Sequence, residues 1–110
     1  MTFYMNNRKW DIIEVNQKRM CEIENVNEDN EQKFYGLTLY DKQKIYLWQD
    51  LCEEQKRETL IHELFHCYLG CYVSFECFEP NIEVVCNLVG NSHDIIHNIV
   101  ERYFEKVEIL

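Results

Sequence analysis

Residues 62–66 read His-Glu-Leu-Phe-His. On a helix, side chains four positions apart share one face, about a turn apart. Two imidazoles at that spacing can point at one zinc ion, at about 2.0–2.1 Å each. Glu63 is rotated about 100° from His62 by the helical period. It can approach a reacting water without being a ligand, which is why the H-E-x-x-H motif has its form. The pattern predicts a zinc centre and the hydrolytic chemistry of a metallopeptidase.

A catalytic zinc needs a third protein ligand and one open position. A metzincin would continue as H-E-x-x-H-x-x-G-x-x-H. Here residues 67–72 are Cys-Tyr-Leu-Gly-Cys-Tyr. Gly70 falls one position late and Tyr72 stands where the third histidine would be, so that class is out. The remaining source is a carboxylate further on, with Glu76, Glu79 and Glu83 as candidates. Glu83 is favoured because Asn87 follows it at i+4, so a helix presents the two side by side. Glu83 could then bind zinc while Asn87 hydrogen-bonds a ligand imidazole from behind. Glu79, one turn earlier, is the reserve. On spacing alone Glu83 reads equally well as a solvated helical carboxylate.

A second histidine pair, His93 and His97, repeats the spacing, with Asp94 in the glutamate's place. No clear third ligand accompanies it, and it reads as an exposed polar stripe opposite Ile96 and Val100.

These residues need elements to hold them. Asp50 is a good helix N-cap, and Glu53 three residues later completes a capping-box pattern. Leu60, Leu64, Cys67, Tyr68 and Cys71 then keep a helical period. Gly70 suits a C-terminal stop, so the motif helix is expected over about Leu51 to Leu69. Pro80 suits the start of a second helix, ended by Gly90-Asn91 near Val89. Ser92 would cap a third, with Ile96, Ile99, Val100, Tyr103 and Val107 as its apolar stripe.

Ahead of the motif, Trp10–Val15 reads as a strand. Phe34–Tyr40 and Lys44–Trp48 are rich in aromatic and β-branched residues. With Asp41-Lys42-Gln43 as turn, they read as an antiparallel hairpin whose apolar face holds Leu37, Leu39, Ile45 and Leu47. Residues 16–33 are polar and leave open a short strand at Cys21–Val26 or a loop. The expectation is one α+β domain over residues 1–110: a small antiparallel sheet, the motif helix, then two further helices.

Thr59-Leu60-Ile61-His62-Glu63-Leu64-Phe65-His66, followed by Glu83-Val84-Val85-Cys86-Asn87, resembles the ImmA/IrrE-like metallopeptidases. These are gluzincin-like enzymes of phages and mobile elements. That family pairs H-E-x-x-H with a downstream E-x-x-A-N or E-x-x-A-D element; here Cys86 stands in place of the small Ala. The resemblance covers roughly residues 34–105, with Gly36-Leu37-Thr38 and Ile45-Tyr46-Leu47 as the preceding strands. It implies a minimal zincin-like domain, Zn2+ held by His62, His66 and Glu83, Glu63 as catalytic base, and Asn87 at the Asn/Asp position. It also implies a specific cytoplasmic protein substrate, such as a mobile-element or phage regulator.

Composition narrows the classes. The 110 residues suit one domain. A formal net charge of -9, from 20 acidic against 11 basic residues, disfavours nucleic acid, where Lys and Arg neutralise phosphates. It equally disfavours an anionic membrane surface. Residues 1–9 lack an apolar core with a small-residue cleavage site, and no stretch could span a bilayer. The expected location is therefore the cytoplasm, and the six cysteines are expected as reduced, packed thiols.

The expected reaction is peptide-bond hydrolysis, with Glu63 relaying a proton. The strand holding Ile45-Tyr46-Leu47 would offer an edge to an extended substrate, and Tyr68 or Tyr72 would face the oxyanion. The rival of a different class is a non-catalytic zinc-containing binding protein, whose acidic surface meets a partner.

Overall fold

Asn6 and Asn7 carry positive φ, 51° and 62°, which asparagine tolerates and a tight hairpin turn requires. In the computed structural model, which describes residues 1–27, 33–73 and 81–105, they fold β1 (Thr2–Met5) antiparallel onto β2 (Arg8–Val15). Sequence reading finds β2 but not β1.

Within residues 16–33, where a short strand at Cys21–Val26 or a loop is expected, the chain forms a helix instead, α1 (Gln17–Glu24). The Asn16 side chain accepts from the Arg19 N–H at its start, and Asn25 closes it in the left-handed region at φ 58°. β3 (Gly36–Leu39) and β4 (Lys44–Trp48) make the expected hairpin, with Gln43 at φ 55° in its turn.

The sheet is mixed rather than antiparallel. Its order is β1-β2-β4-β3, and β2 runs parallel to β4 from Asp11 opposite Lys44 to Val15 opposite Trp48. α1 lies in the crossover that a parallel pair needs. β4 is therefore interior, not the expected edge; β1 and β3 are the edges.

Register also corrects the hairpin's apolar face. Thr38 stands opposite Ile45 and Gly36 opposite Leu47, whereas Leu37 pairs with Tyr46. Directly opposed residues share a face and neighbours alternate. Ile45 and Leu47 thus share their face with Gly36 and Thr38, while Leu37 and Leu39 point to the other side with Tyr46. There Leu39 and Tyr46 line one recess with Ile23 of α1.

α2 (Glu53–Tyr72) covers the opposite face. It starts two residues after the expected point: Cys52 is the N-cap, and its N–H donates to Gln55 Oε1 at 3.3 Å. It also runs through Gly70, whose φ is not positive. A Cβ there would lie 2.2 Å from Tyr40 Cε1. Gly70 makes room for a ring instead of ending the helix.

One helix, not two, follows the motif. α3 (Ile82–Glu105) is continuous through Gly90 and Asn91. Asn81 Oδ1 accepts the Val84 N–H at 2.9 Å and caps its start. Ser92 is no cap; it is buried and its hydroxyl donates to Val89 O. Packing against the core continues on both sides of Gly90, from Leu88 to Ile95, Ile96, Ile99 and Val100, and it outweighs the weak helix propensity of one glycine. Pro80 and Val107 lie outside the described residues.

The core joins Phe3, Met5, Trp10 and Ile12 of the first hairpin to Ile45 and Leu47. α2 adds Leu60, Leu64, Cys67 and Tyr68, and α3 adds Ile96, Ile99 and Val100. Leu60 and Leu64 are fully buried, each worth about 1.5–3 kcal/mol of transfer free energy. They seat the helix so that the next stripe, His62 and His66, faces away from the sheet. The architecture is α+β. Among the described residues no helix is long and apolar enough to cross a membrane. The described cysteines are free; Cys21 and Cys67 are buried, but Cys52 and Cys86 are exposed and do not pack as expected.

Candidate metal centre

α2 carries His62 and His66 one turn apart, with Nε2 atoms 3.2 Å apart. Two ligands on a tetrahedral ion at 2.0–2.1 Å each would be separated by about 3.3 Å. The spacing of the pair matches that of two nitrogens on one zinc-sized ion, and also that of a hydrogen bond between the rings. The ligand atoms of His62, Glu63 and His66 all lie within 4.8 Å of one another. Both imidazoles are exposed, while Glu63 is 6% exposed. The imidazole nitrogens of the pair suit a borderline ion such as zinc.

Glu63 is buried because β3 lies directly against it. Thr38 Oγ1 donates to Glu63 Oε1 at 2.9 Å and lies 3.3 Å from Glu63 O. A Cβ on Gly36 would sit 2.7 Å from Thr59 Cγ2 and 3.0 Å from Glu63 Cγ, so only glycine lets the strand come this close. Tyr40, at the end of β3, donates its hydroxyl to His66 O at 2.7 Å. Burial pushes that hydroxyl's pKa up, which keeps it a donor. Behind the motif, burial likewise raises the Cys67 thiol, with Cys71 and Glu63 adding to the shift; Cys67 stays a neutral core group.

Sequence reading misses Gly36, Thr38 and Tyr40 as site residues. Glycine and threonine two apart on the strand before the motif are the only signal.

The imidazole pair opens into a cleft of about 480 Å³ between α2 and α3. Its α2 wall is Arg57, Glu58, Ile61, His62, Phe65 and His66. The α3 wall holds Val89, Ser92, His93, Ile96, His97 and Val100. At one end Arg57 Nη1 bonds Glu101 Oε1 at 2.7 Å and its guanidinium lies 4.6 Å from the Phe104 ring centroid. A second recess, lined by Gly36, Thr59, His62 and Glu63 among others, lies on the β3 side of the same residues.

The other expected site residues lie elsewhere. Glu83 is exposed in the first turn of α3 and Asn87 is exposed one turn on. Neither lines the cleft nor belongs to the group formed by His62, Glu63 and His66. Glu76 and Glu79 lie outside the described residues. Tyr68 is buried against Phe65 and Tyr72, and the Tyr72 hydroxyl accepts the Asn6 N–H at 2.9 Å. Neither tyrosine lines the cleft. His93 and His97 are exposed, as expected of a polar stripe, and they also line the cleft.

Compared with known proteins, the chain matches no family model, no curated protein and no solved structure.

Proposed function

We propose that this protein is a zinc-dependent metallopeptidase, a minimal zincin-like domain acting on a cytoplasmic protein substrate. The observation that carries the reading is the His62–His66 separation of 3.2 Å beside a buried, strand-anchored Glu63. Surface histidines on an ordinary amphipathic helix give no reason for a buried carboxylate between them.

In this reading His62 and His66 would hold the ion; the ImmA/IrrE resemblance assigns the third position to Glu83 and the Asn/Asp position to Asn87, and both stand apart from the imidazole pair in this fold. Zinc supplies Lewis acidity, acidifying water and polarising a carbonyl. Glu63 accepts a proton from the attacking water and returns it to the leaving amine. Thr38 holds the carboxylate in place for both transfers. The outer edge of β3, next to Glu63, is where an extended peptide would pair. A phage or mobile-element regulator is the substrate class that the resemblance suggests.

The second reading, a non-catalytic zinc-containing binding protein, is favoured by one observation: Glu83 stands apart from the imidazole pair.

The test is Glu63→Gln. Zinc-loaded parent and variant are incubated with a proteome-derived peptide library and the products identified by mass spectrometry. The parent cleaves; the variant keeps its zinc and does not. Equal cleavage by both would overturn the peptidase reading. Stoichiometric zinc with no cleavage by the parent would support the binding protein.

A further inference from the structure

The α2–α3 cleft has two histidine walls. α2 and α3 run antiparallel, since Arg57 near the start of α2 meets Glu101 and Phe104 near the end of α3. Five residues on from Arg57 is His62; four back from Glu101 is His97. Nine residues on is His66; eight back is His93. The two i, i+4 pairs therefore stand level across the cleft, and all four side chains line it.

Glu83 lies ten residues before His93, about 15 Å further along the axis at 1.5 Å per residue. At the level of His62 and His66, the nitrogen donors that α3 offers are His93 and His97.

The two α3 rings lie against each other. Their centroids are 5.7 Å apart at 14° between planes, and among the described residues neither ring has a hydrogen bond or ion pair. Around them the cleft is apolar, with Ile61, Phe65, Val89 and Ile96 in its walls. Both side chains are exposed, and both line this groove opposite another imidazole pair. Imidazoles at i, i+4 can converge on one ion, and both side chains are exposed enough to turn their nitrogens together.

We propose that His93 and His97 form a second metal-ion subsite, taking zinc or another borderline divalent ion in the same cleft as the His62–His66 centre. The two subsites are separate: the α3 rings do not belong to the cluster that His62, Glu63 and His66 form within 4.8 Å. The subsite does not depend on peptidase activity, and it shares only the cleft with the centre proposed above.

The experiment uses the full chain stripped by chelator, then dialysed against buffered Zn2+ and analysed for metal per chain. Three proteins are compared: the parent, His62→Ala/His66→Ala, and His93→Ala/His97→Ala. Circular dichroism melts confirm that each is folded. The parent takes two ions and each double variant takes one. If the parent takes one ion, kept by the α2 variant and lost by the α3 variant, the α3 subsite stands while the H-E-x-x-H centre falls. If the α3 variant takes as many ions as the parent, the proposal is overturned. One ion in the parent, lost from both variants, would mean four imidazoles sharing one site, and that too overturns a separate subsite.

Discussion

Thr38 Oγ1 donates to Glu63 Oε1 at 2.9 Å, tying the edge strand of the sheet to the carboxylate of the motif helix. The bond exists because Gly36, two residues earlier on the same face, has no Cβ to hold the strand away. Glu63 gains a fixed rotamer and a hydrogen bond in a site 6% exposed. An anion so buried without a donor would be costly.

Thr38→Val keeps the shape and removes the donor. Leaving a buried carboxylate short of a partner costs about 1–3 kcal/mol. Chemical denaturation at neutral pH should show that loss, and the loss should shrink in a Glu63→Gln background. An equal loss with and without the Glu63 carboxylate would show that the two side chains are uncoupled.

Gly36→Ala pushes on Thr59 and Glu63 together. Because overpacking typically costs about 1–3 kcal/mol, the melting temperature should fall. Zinc uptake should fall with it, since the strand that seats the motif is displaced. Full stability and full zinc uptake in Gly36→Ala would mean that the close approach of β3 is unimportant.

Zinc binding should stabilise the folded chain by mass action, by about 2.7 kcal/mol at a free concentration one hundred times Kd. A thermal melt with and without zinc reads this as a rise in midpoint. The rise should shrink in His66→Ala to what the α3 pair alone supplies, and survive in Glu63→Gln. A rise of equal size in all three proteins would place the ion away from the motif.

The motif was legible because it is local. His62 and His66 need only the helical period to meet, and Leu60 and Leu64 announce which face is buried. The support for Glu63 was not legible, because Thr38 reaches it only through the register of β3 on β4. That register turns Leu37 and Leu39 away from α2, against the simple expectation of four apolar residues on one face. α1 could have been read from Asn16 and Asn25 at its two ends, but its core-facing residues, Met20 and Cys21, are too few to show a period. Gly70 and Gly90 misled for opposite reasons. The first sits in the helix to admit Tyr40, and the second is carried along by packing on either side of it.

That contrast gives a paired test. A Cβ on Gly90 meets nothing within 4 Å, so Gly90→Ala should stabilise the chain by about 0.5–1 kcal/mol through helix propensity alone. Gly70→Ala meets the Tyr40 ring and should destabilise it. Thermal melts of the two variants should shift in opposite directions. A shared sign would contradict the continuous α3 or the ring packing at Gly70.

Acid stability should depend on Glu14, which joins three elements. Its carboxylate, on β2, bonds Lys56 of α2 at 2.7 Å and accepts from the Tyr103 hydroxyl of α3. Burial alone would raise its pKa, but the Lys56 ammonium and the Tyr103 hydroxyl outweigh burial and hold it below the ordinary glutamate value. A carboxyl depressed on folding contributes stability above its unfolded pKa, and that stability is lost as pH falls through the folded value. Glu14→Gln should therefore cost about 1–2 kcal/mol at neutral pH, allowing for solvent screening of a partly exposed pair. The gap between parent and variant should close as pH drops below about 4. Urea denaturation across pH 3–8 checks this; a gap independent of pH would mean that the Glu14 charge plays no part in joining the sheet to the two helices.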